Sequence, residues 1–205
     1  YFSKPGNGIC HQVNLERFGV PGATLLGSDS HTPTGGGIGM LAMGAGGLDV
    51  AVAMGGGPYY IAMPRIVNIM LTGALRPGVS AKDMMLHMIG RFGMNGGAYQ
   101  AVEFCGAAVQ ALGMAERMTL ANMSAELGAQ VGLVAPDATT VQWLAAHGAP
   151  GADITGLFTD PQAIALPGCE THRFDAAALA PMVAAPHSPA NTKAVTGHAG
   201  TRDRK

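Results

Sequence analysis

Apolar positions along the chain follow two rhythms. Short apolar runs bounded by glycine or polar turns predict buried strands that lead into loops: Ala23 to Gly27, followed by the polar stretch Ser28 to Thr34, is the first. Ile66 to Leu71 and Tyr99 to Phe104 read the same way. The second rhythm, apolar residues three and four apart, predicts helices. One covers Ser80 to Phe92, with Ser80 as its cap and Asp83 in its first turn. Others cover Ala107 to Leu112, Thr119 to Val131, and Ala138 to His147 behind an Asp137 cap. Ile38 to Met54 also has helical spacing, although each of its glycines would cost an exposed helix about 1 kcal/mol relative to alanine, which close packing or a ligand must offset. Strand, turn and helix in repeated succession predict an α/β protein. Pro150 to Gly168 is irregular and rich in breakers, little order is expected from Pro181 onward, and Thr196 to Lys205 reads as a frayed polar tail.

Composition narrows the picture. Twelve basic and 13 acidic side chains give a formal charge of -1, so an electrostatic nucleic-acid binder is not expected. The chain is 48% apolar but only 5% aromatic, so its interior must be built from aliphatic residues and 13 methionines. Glycine, at 31 of 205 residues, is about twice as frequent as the usual ~7%. Three separated cysteines, Cys10, Cys105 and Cys169, with no Cys-x-x-Cys pair, imply neither a disulfide framework nor a self-contained metal site and fit a reducing, cytoplasmic compartment. The long uncharged stretches are broken by glycine and proline, so no membrane segment is expected. The opening at Tyr1 has no signal pattern, and the chain reads as a piece of something longer.

The segment Gly27-Ser28-Asp29-Ser30-His31-Thr32-Pro33-Thr34-Gly35-Gly36-Gly37 sets an acid, hydroxyls and an imidazole on a turn that enters a glycine run. Backbone N–H groups of such a run can receive a carboxylate or phosphate, and a simple tight turn explains the glycines equally well. It is not the Gly-x-Gly-x-x-Gly dinucleotide fingerprint. His11, in Gly8-Ile9-Cys10-His11-Gln12, reads on its own as a core histidine. Asn122 and Glu126, four apart, would share one helix face, as an ordinary solvated pair would. His11, Asp29 and His31 also offer donors for a mononuclear metal. His87, His147, His172, His187 and His198 share no spacing and read as surface or structural residues, while Arg65, Arg76 and Arg91 read as isolated solvated charges.

Taken together, four passages resemble the aconitase superfamily: GNGICHQVNLERFGVPGATLLGSDSHTPTGGGIGMLAMGAGGLDVAVAMGGGPYY, LTGALRPGVSAKDMML, MTLANMSAELGAQVGLVAPD and LAPMVAAPHSPANTKAV. They are spread along the chain from Gly6 to Val195, and DSHTPTGGG is the most specific element among them. GICHQ and LERFGVPG are more similar to aconitate hydratases, whereas RMTLANMS and VAPD are more similar to isopropylmalate isomerase large subunits.

The resemblance implies an incomplete three-layer α/β/α architecture. Residues 1–64 would be part of a first domain, 65–182 a second, and 183–205 a linker and disordered tail. It implies reversible dehydration of citrate to isocitrate through cis-aconitate, with the tricarboxylic acid cycle as context, or else an isopropylmalate or homoaconitate isomerase large-subunit piece, or a remnant without catalysis. His11, Asp29, His31 and Glu126 would be catalytic, as the pairs Asp29 with His11 and Glu126 with His31. Ser30 would bind a substrate carboxylate with help from Gly35, Gly36 and Gly37, and Asn122 would stand beside a cluster sulfur or ligand. The substrate would be a small tricarboxylate or hydroxy-dicarboxylate.

The family's cofactor is a [4Fe-4S] cluster held by three cysteines, one in a Gly-Ser-Cys-Thr-Asn-type loop and two in a Cys-x-x-Cys loop. Neither motif is present, so no metal ligand is expected on this chain. The family's first histidine-bearing segment, its arginines and its base serine are also missing. The expected partner is therefore the remainder of the enzyme, including its swivelling domain, and neither nucleic acid nor membrane. A partial sequence, a split subunit and a degenerate remnant all fit.

Overall fold

A computed structural model of the chain describes residues 1–198. The β-branched run Arg65–Thr72 forms strand β3, and its alternate residues Val67, Ile69 and Leu71 are buried. It pairs in parallel with β4 (Gln100–Cys105) on one side and β6 (Glu170–Asp175) on the other, and β4 pairs with β5 (Val131–Val134), giving the order β5-β4-β3-β6. Parallel neighbours need crossovers. Helix α3 (Ala81–Phe92) makes the first, and α4 (Ala107–Gln110) with α5 (Met114–Asn122) the second. The side chain of Asp83 reaches back to the Ser80 backbone N–H at 2.8 Å and fixes the start of α3 as expected. Met84, Met85, Met88 and Ile89 of this helix then bury against Ile69, Leu71, Val102 and Phe104 of the sheet. The architecture is mixed α/β, with the parallel sheet flanked by helices.

Ahead of this sheet, α1 (Cys10–Phe18) precedes a second parallel pair, β1 (Thr24–Gly27) and β2 (Leu41–Gly44), joined by a 3-10 turn at Thr32–Ile38. The turn is wholly buried. Ile38 and Met40 pack with Leu15 of α1, with Met114 and Met118 of α5, and with Leu144 of α6 (Ala138–Ala146). Glycine is required here for space: a Cβ on Gly36 would fall 1.7 Å from the Gly132 carbonyl oxygen, and one on Gly37 would fall 2.7 Å from the Met118 Cα. Gly36→Ala is therefore expected to destabilise the chain by about 3 kcal/mol or more, because the obstacle is backbone that cannot rotate away. Urea denaturation measures this, and a loss under 1 kcal/mol would contradict the packing.

Several sequence expectations need correction. Ile38 to Met54 is not one helix. It comprises the end of the 3-10 turn, strand β2, and α2 (Gly47–Met54), because Gly39 at φ 81° turns the chain and Leu41 joins the β1 backbone. The helix expected over Thr119 to Val131 starts earlier, at Met114, and stops at Asn122. Ser124 donates its hydroxyl to the Ala121 carbonyl, Gly128 adopts φ 81°, and Val131 opens a strand. Asn122 and Glu126 consequently do not share a helix face. Beyond the short α7 (Pro161–Ile164), strand β6 was not anticipated, since Glu-Thr-His-Arg-Phe-Asp carries little apolar signal. Order also continues past Pro181, as an antiparallel hairpin of β7 (Met182–Ala184) and β8 (Thr192–Ala194). Residues 199–205 of the expected tail lie outside the described residues.

Candidate active site

Strand β1 ends at Gly27 and releases the chain outside the carboxyl ends of the β1–β2 pair, where α/β proteins commonly place ligands. The next turn is tied by its own side chains. Asp29 accepts the backbone N–H of His31 at 2.7 Å, Thr32 donates its hydroxyl to the Asp29 carbonyl at 2.7 Å, and Thr34 donates to the His31 carbonyl at 2.6 Å. His31 is held at φ -94° and ψ 13°, in the sparsely populated bridge region.

Two imidazoles meet two carboxylates at this turn. His11, on the first turn of α1, places Nε2 2.9 Å from Asp29 Oδ1. His31 places Nε2 2.9 Å from Glu126 Oε1 and Nδ1 3.7 Å from Asp29 Oδ1. Asp29 therefore stands between both rings. A carboxylate only accepts, so Nε2 of each ring carries the hydrogen in these pairs, leaving the His31 Nδ1 beside the Ser30 hydroxyl at 3.2 Å. The Asp29 carboxyl lies below its ordinary value, first through the His31 backbone N–H and then through the His11 ring, so it stays ionised. Glu126 lies in the turn after α5, and its Oε2 is buried with no hydrogen-bond partner among the described residues.

Asn122 closes α5 and donates from Nδ2 to Thr34 Oγ1 at 2.8 Å. The buried Thr34 hydroxyl thus links the loop of His31 to the helix that precedes Glu126, a connection sequence reading missed although the residue lies inside the motif. Ser28 and Ser30 border an open crevice with Gly44, Ala45 and Gly46. Gly35, Gly36 and Gly37 do not reach it. They are buried against β2, α5 and β5, which makes them packing residues in place of the expected carboxylate cradle.

Two of the other histidines have local partners: His147 stacks on Trp143 with centroids 4.0 Å apart, and His172 lies 2.9 Å from Glu170. Arg76 is not merely solvated, since it donates to the Leu179 carbonyl.

The residues present do not fit an iron–sulfur cluster. Among the described residues no three His, Cys, Asp or Glu side chains converge to hold a metal. Cys10 is exposed and Cys105 is buried. Burial, then the nearby Glu103, pushes the Cys105 thiol up to about 11, the opposite of a thiolate ligand. At pH 8 such a thiol holds roughly a hundredfold less thiolate than an ordinary one, so iodoacetamide should label Cys10 well before Cys105 in the folded chain and both alike in denaturant. Mass spectrometry reads the order, and early labelling of Cys105 would contradict its burial. No helix of the described residues is long and apolar enough to cross a membrane.

The structure thus combines a mixed α/β fold with two imidazole–carboxylate pairs at the end of a strand. Comparison with known proteins is more specific. The family model for the aconitase family (aconitate hydratase) matches residues 1–205, and the chain belongs to that family. It is 42% identical to the 3-isopropylmalate dehydratase large subunit of Elusimicrobium minutum over 193 residues, 94% of this chain and 45% of that protein. It is 38% identical to the 3-isopropylmalate dehydratase large subunit 2 of Archaeoglobus fulgidus over 203 residues, 98% of this chain and 47% of that one. To the probable methanogen homoaconitase large subunit of Methanosarcina mazei it is 39% identical over 201 residues, 98% of this chain and 50% of that protein. The chain spans about half the length of the curated relatives it matches. These relatives are named for 3-isopropylmalate and homoaconitate, and none of the three is named for citrate.

Proposed function

We propose that this chain is the part of an aconitase-family hydro-lyase that carries the proton-handling side chains, acting on a hydroxy-dicarboxylate of the 3-isopropylmalate or homoaconitate type. The observation that carries the reading is the convergence of His11, Asp29, His31 and Glu126 on one turn. Dehydration breaks a C–O bond, and the departing hydroxide takes a proton to leave as water. His31 is suited to give it: Glu126 holds Nε2, which leaves Nδ1, beside Ser30, as the atom that carries the transferred proton. Glu126 stabilises the imidazolium before transfer and Asp29 orients His11 in the same way. The proton lost from the neighbouring carbon goes to a base outside this chain. Rehydration from the other face or at the other carbon reverses the steps. The Ser30 hydroxyl is placed to donate to a substrate carboxylate, and Asn122 is anchored by Thr34.

Any cluster is supplied by residues elsewhere in the complete enzyme, and the rest of the polypeptide and a small subunit are its partners. The test is turnover by the complete assembly on 3-isopropylmalate, homoaconitate-type acids and citrate. A kcat/KM at least tenfold higher for one of the first two is expected, the scale set by an extended or apolar arm in its own pocket. Preference for citrate would overturn the substrate class, and no turnover with any of them would overturn the enzymatic reading.

A further inference from the structure

The face of the four-stranded sheet turned away from α3 carries a polar row where a parallel sheet is ordinarily apolar on both sides. Within β3, Asn68 stands between Val67 and Ile69 and is only 1% exposed. The register sets it beside Glu103 of β4 and Thr171 of β6, so these three side chains share one face across three adjacent strands. Their hydrogen bonds do not close. Asn68 donates from Nδ2 to Cys169 Sγ at 2.9 Å, but its Oδ1 is buried without a partner among the described residues, and so is the Thr171 Oγ1. Glu103 receives the Thr159 hydroxyl on Oε1, which leaves Oε2 for another donor. Buried polar atoms are seldom left unpaired, and each of these is an oxygen able to accept.

Asn68 and Glu103 line a cavity of about 320 Å³ beside the loop that leads into β6. Asp160 stands at its exposed rim, with only Oδ1 engaged, by the Gln162 backbone N–H at 2.8 Å. Ile66 and Leu166, 47% and 61% exposed, supply an apolar wall. No lysine or arginine of the described residues lines the cavity, and the neighbouring Arg173 donates to Met70 Sδ instead. Two carboxylates without a cation, a buried amide oxygen without a donor and a short apolar wall are complementary to one kind of molecule. We propose that this cavity binds a small primary ammonium compound with a short aliphatic body. The three N–H groups of the ammonium are received by the Glu103 and Asp160 carboxylates and the Asn68 Oδ1, and the body lies against Ile66 and Leu166. A divalent metal is a poorer match, since no three His, Cys, Asp or Glu side chains of the described residues converge to hold one. None of the lining residues belongs to the candidate active site, so the proposal does not depend on the hydration chemistry.

The probe is n-butylammonium chloride, titrated into the full isotope-labelled chain at constant pH and ionic strength, with n-butanol as the uncharged control of the same body. NMR follows the backbone amides of Glu103 and Cys169 and the side-chain amide of Asn68. Saturable shifts with a Kd of about 1 mM are expected, an affinity within reach of a ligand of so few atoms, and n-butanol should give none. Glu103→Gln keeps an acceptor for Thr159 but removes the charge, and should weaken binding about tenfold or more. Asp160→Asn, at the exposed rim, should weaken it about threefold without touching the core. No saturation at concentrations about tenfold above the expected Kd overturns the proposal, as do equal affinity for n-butanol and unchanged binding in Glu103→Gln. If Glu103→Gln does not fold, unchanged binding in Asp160→Asn overturns it instead. Saturable shifts of the same amides with calcium chloride but not with n-butylammonium would show a metal cation in the cavity and would also overturn it. Because every readout is binding and none is turnover, failure here is distinguishable from failure of the enzymatic reading.

Discussion

His31→Ala in the complete enzyme is expected to lower kcat about a thousandfold with little change in KM, since positioned acid–base groups typically contribute 10²- to 10⁴-fold. The ring is partly exposed on a loop, and its side-chain contacts are with Glu126, Ser30 and Asp29, so the fold should survive its removal. Glu126→Gln is the discriminating companion. The amide oxygen still accepts from Nε2, so ring orientation is kept, but the negative charge beside the ring is gone. Its loss should be smaller than that of His31→Ala and should fall on kcat with KM little changed. The measurement is steady-state isomerisation with thermal unfolding as a control. If His31→Ala retains more than a tenth of turnover, the proton donor lies elsewhere.

Parts of this arrangement were legible in the sequence for physical reasons. Asp29, Ser30 and His31 are consecutive on a turn whose hydrogen bonds are local, so their proximity follows from the spacing alone. Ser80, Asp83 and Asp137 announced helix starts because capping uses residues within one turn. Ile66 to Leu71 announced a strand because all of its residues but Asn68 are apolar.

What escaped the sequence depended on distant partners. The 95-residue separation between His31 and Glu126 gives no spacing signal, and only the family resemblance suggested the pair. The helical rhythm through Ile38 to Met54 was misleading because methionine, alanine and leucine fit either period, and the register of Leu41 to Met43 is set by hydrogen bonds from β1. The glycine run suggested exposed backbone donors, yet the close approach of Gly132 and Met118 makes it a packing surface. Composition alone cannot separate the two, since both require the absence of Cβ.

The same principle, that a distant partner decides a residue's role, governs the largest stability effect expected of this chain. Arg117 on α5 is fully buried, and its guanidinium donates to both Asp137 carboxylate oxygens, at 2.7 and 2.8 Å, as well as to the carbonyls of Gln110 and Leu112. Asp137 also caps α6 by accepting the backbone N–H of Thr139 at 2.9 Å. Asp137→Ala would leave a buried guanidinium without its counter-charge and remove a cap, for a combined loss of about 4 kcal/mol. Adding Arg117→Met should recover part of that loss, because the unpaired charge goes with it. Asp137→Asn keeps an acceptor for the cap and should lose less than Asp137→Ala.

Acid should reproduce the effect in the unmodified chain. Burial raises the Asp137 carboxyl, but hydrogen bonds and charge from Arg117 outweigh it and hold the group below its ordinary 3.8. Because the folded value is the lower one, this contribution is complete above the unfolded value. It is lost as pH falls from about 4 through the folded value. Urea unfolding from pH 7 to 3 should therefore show the unmodified chain converging on Asp137→Ala at the acid end. A gap that stays constant across that range would place the stabilisation somewhere other than the ionised pair.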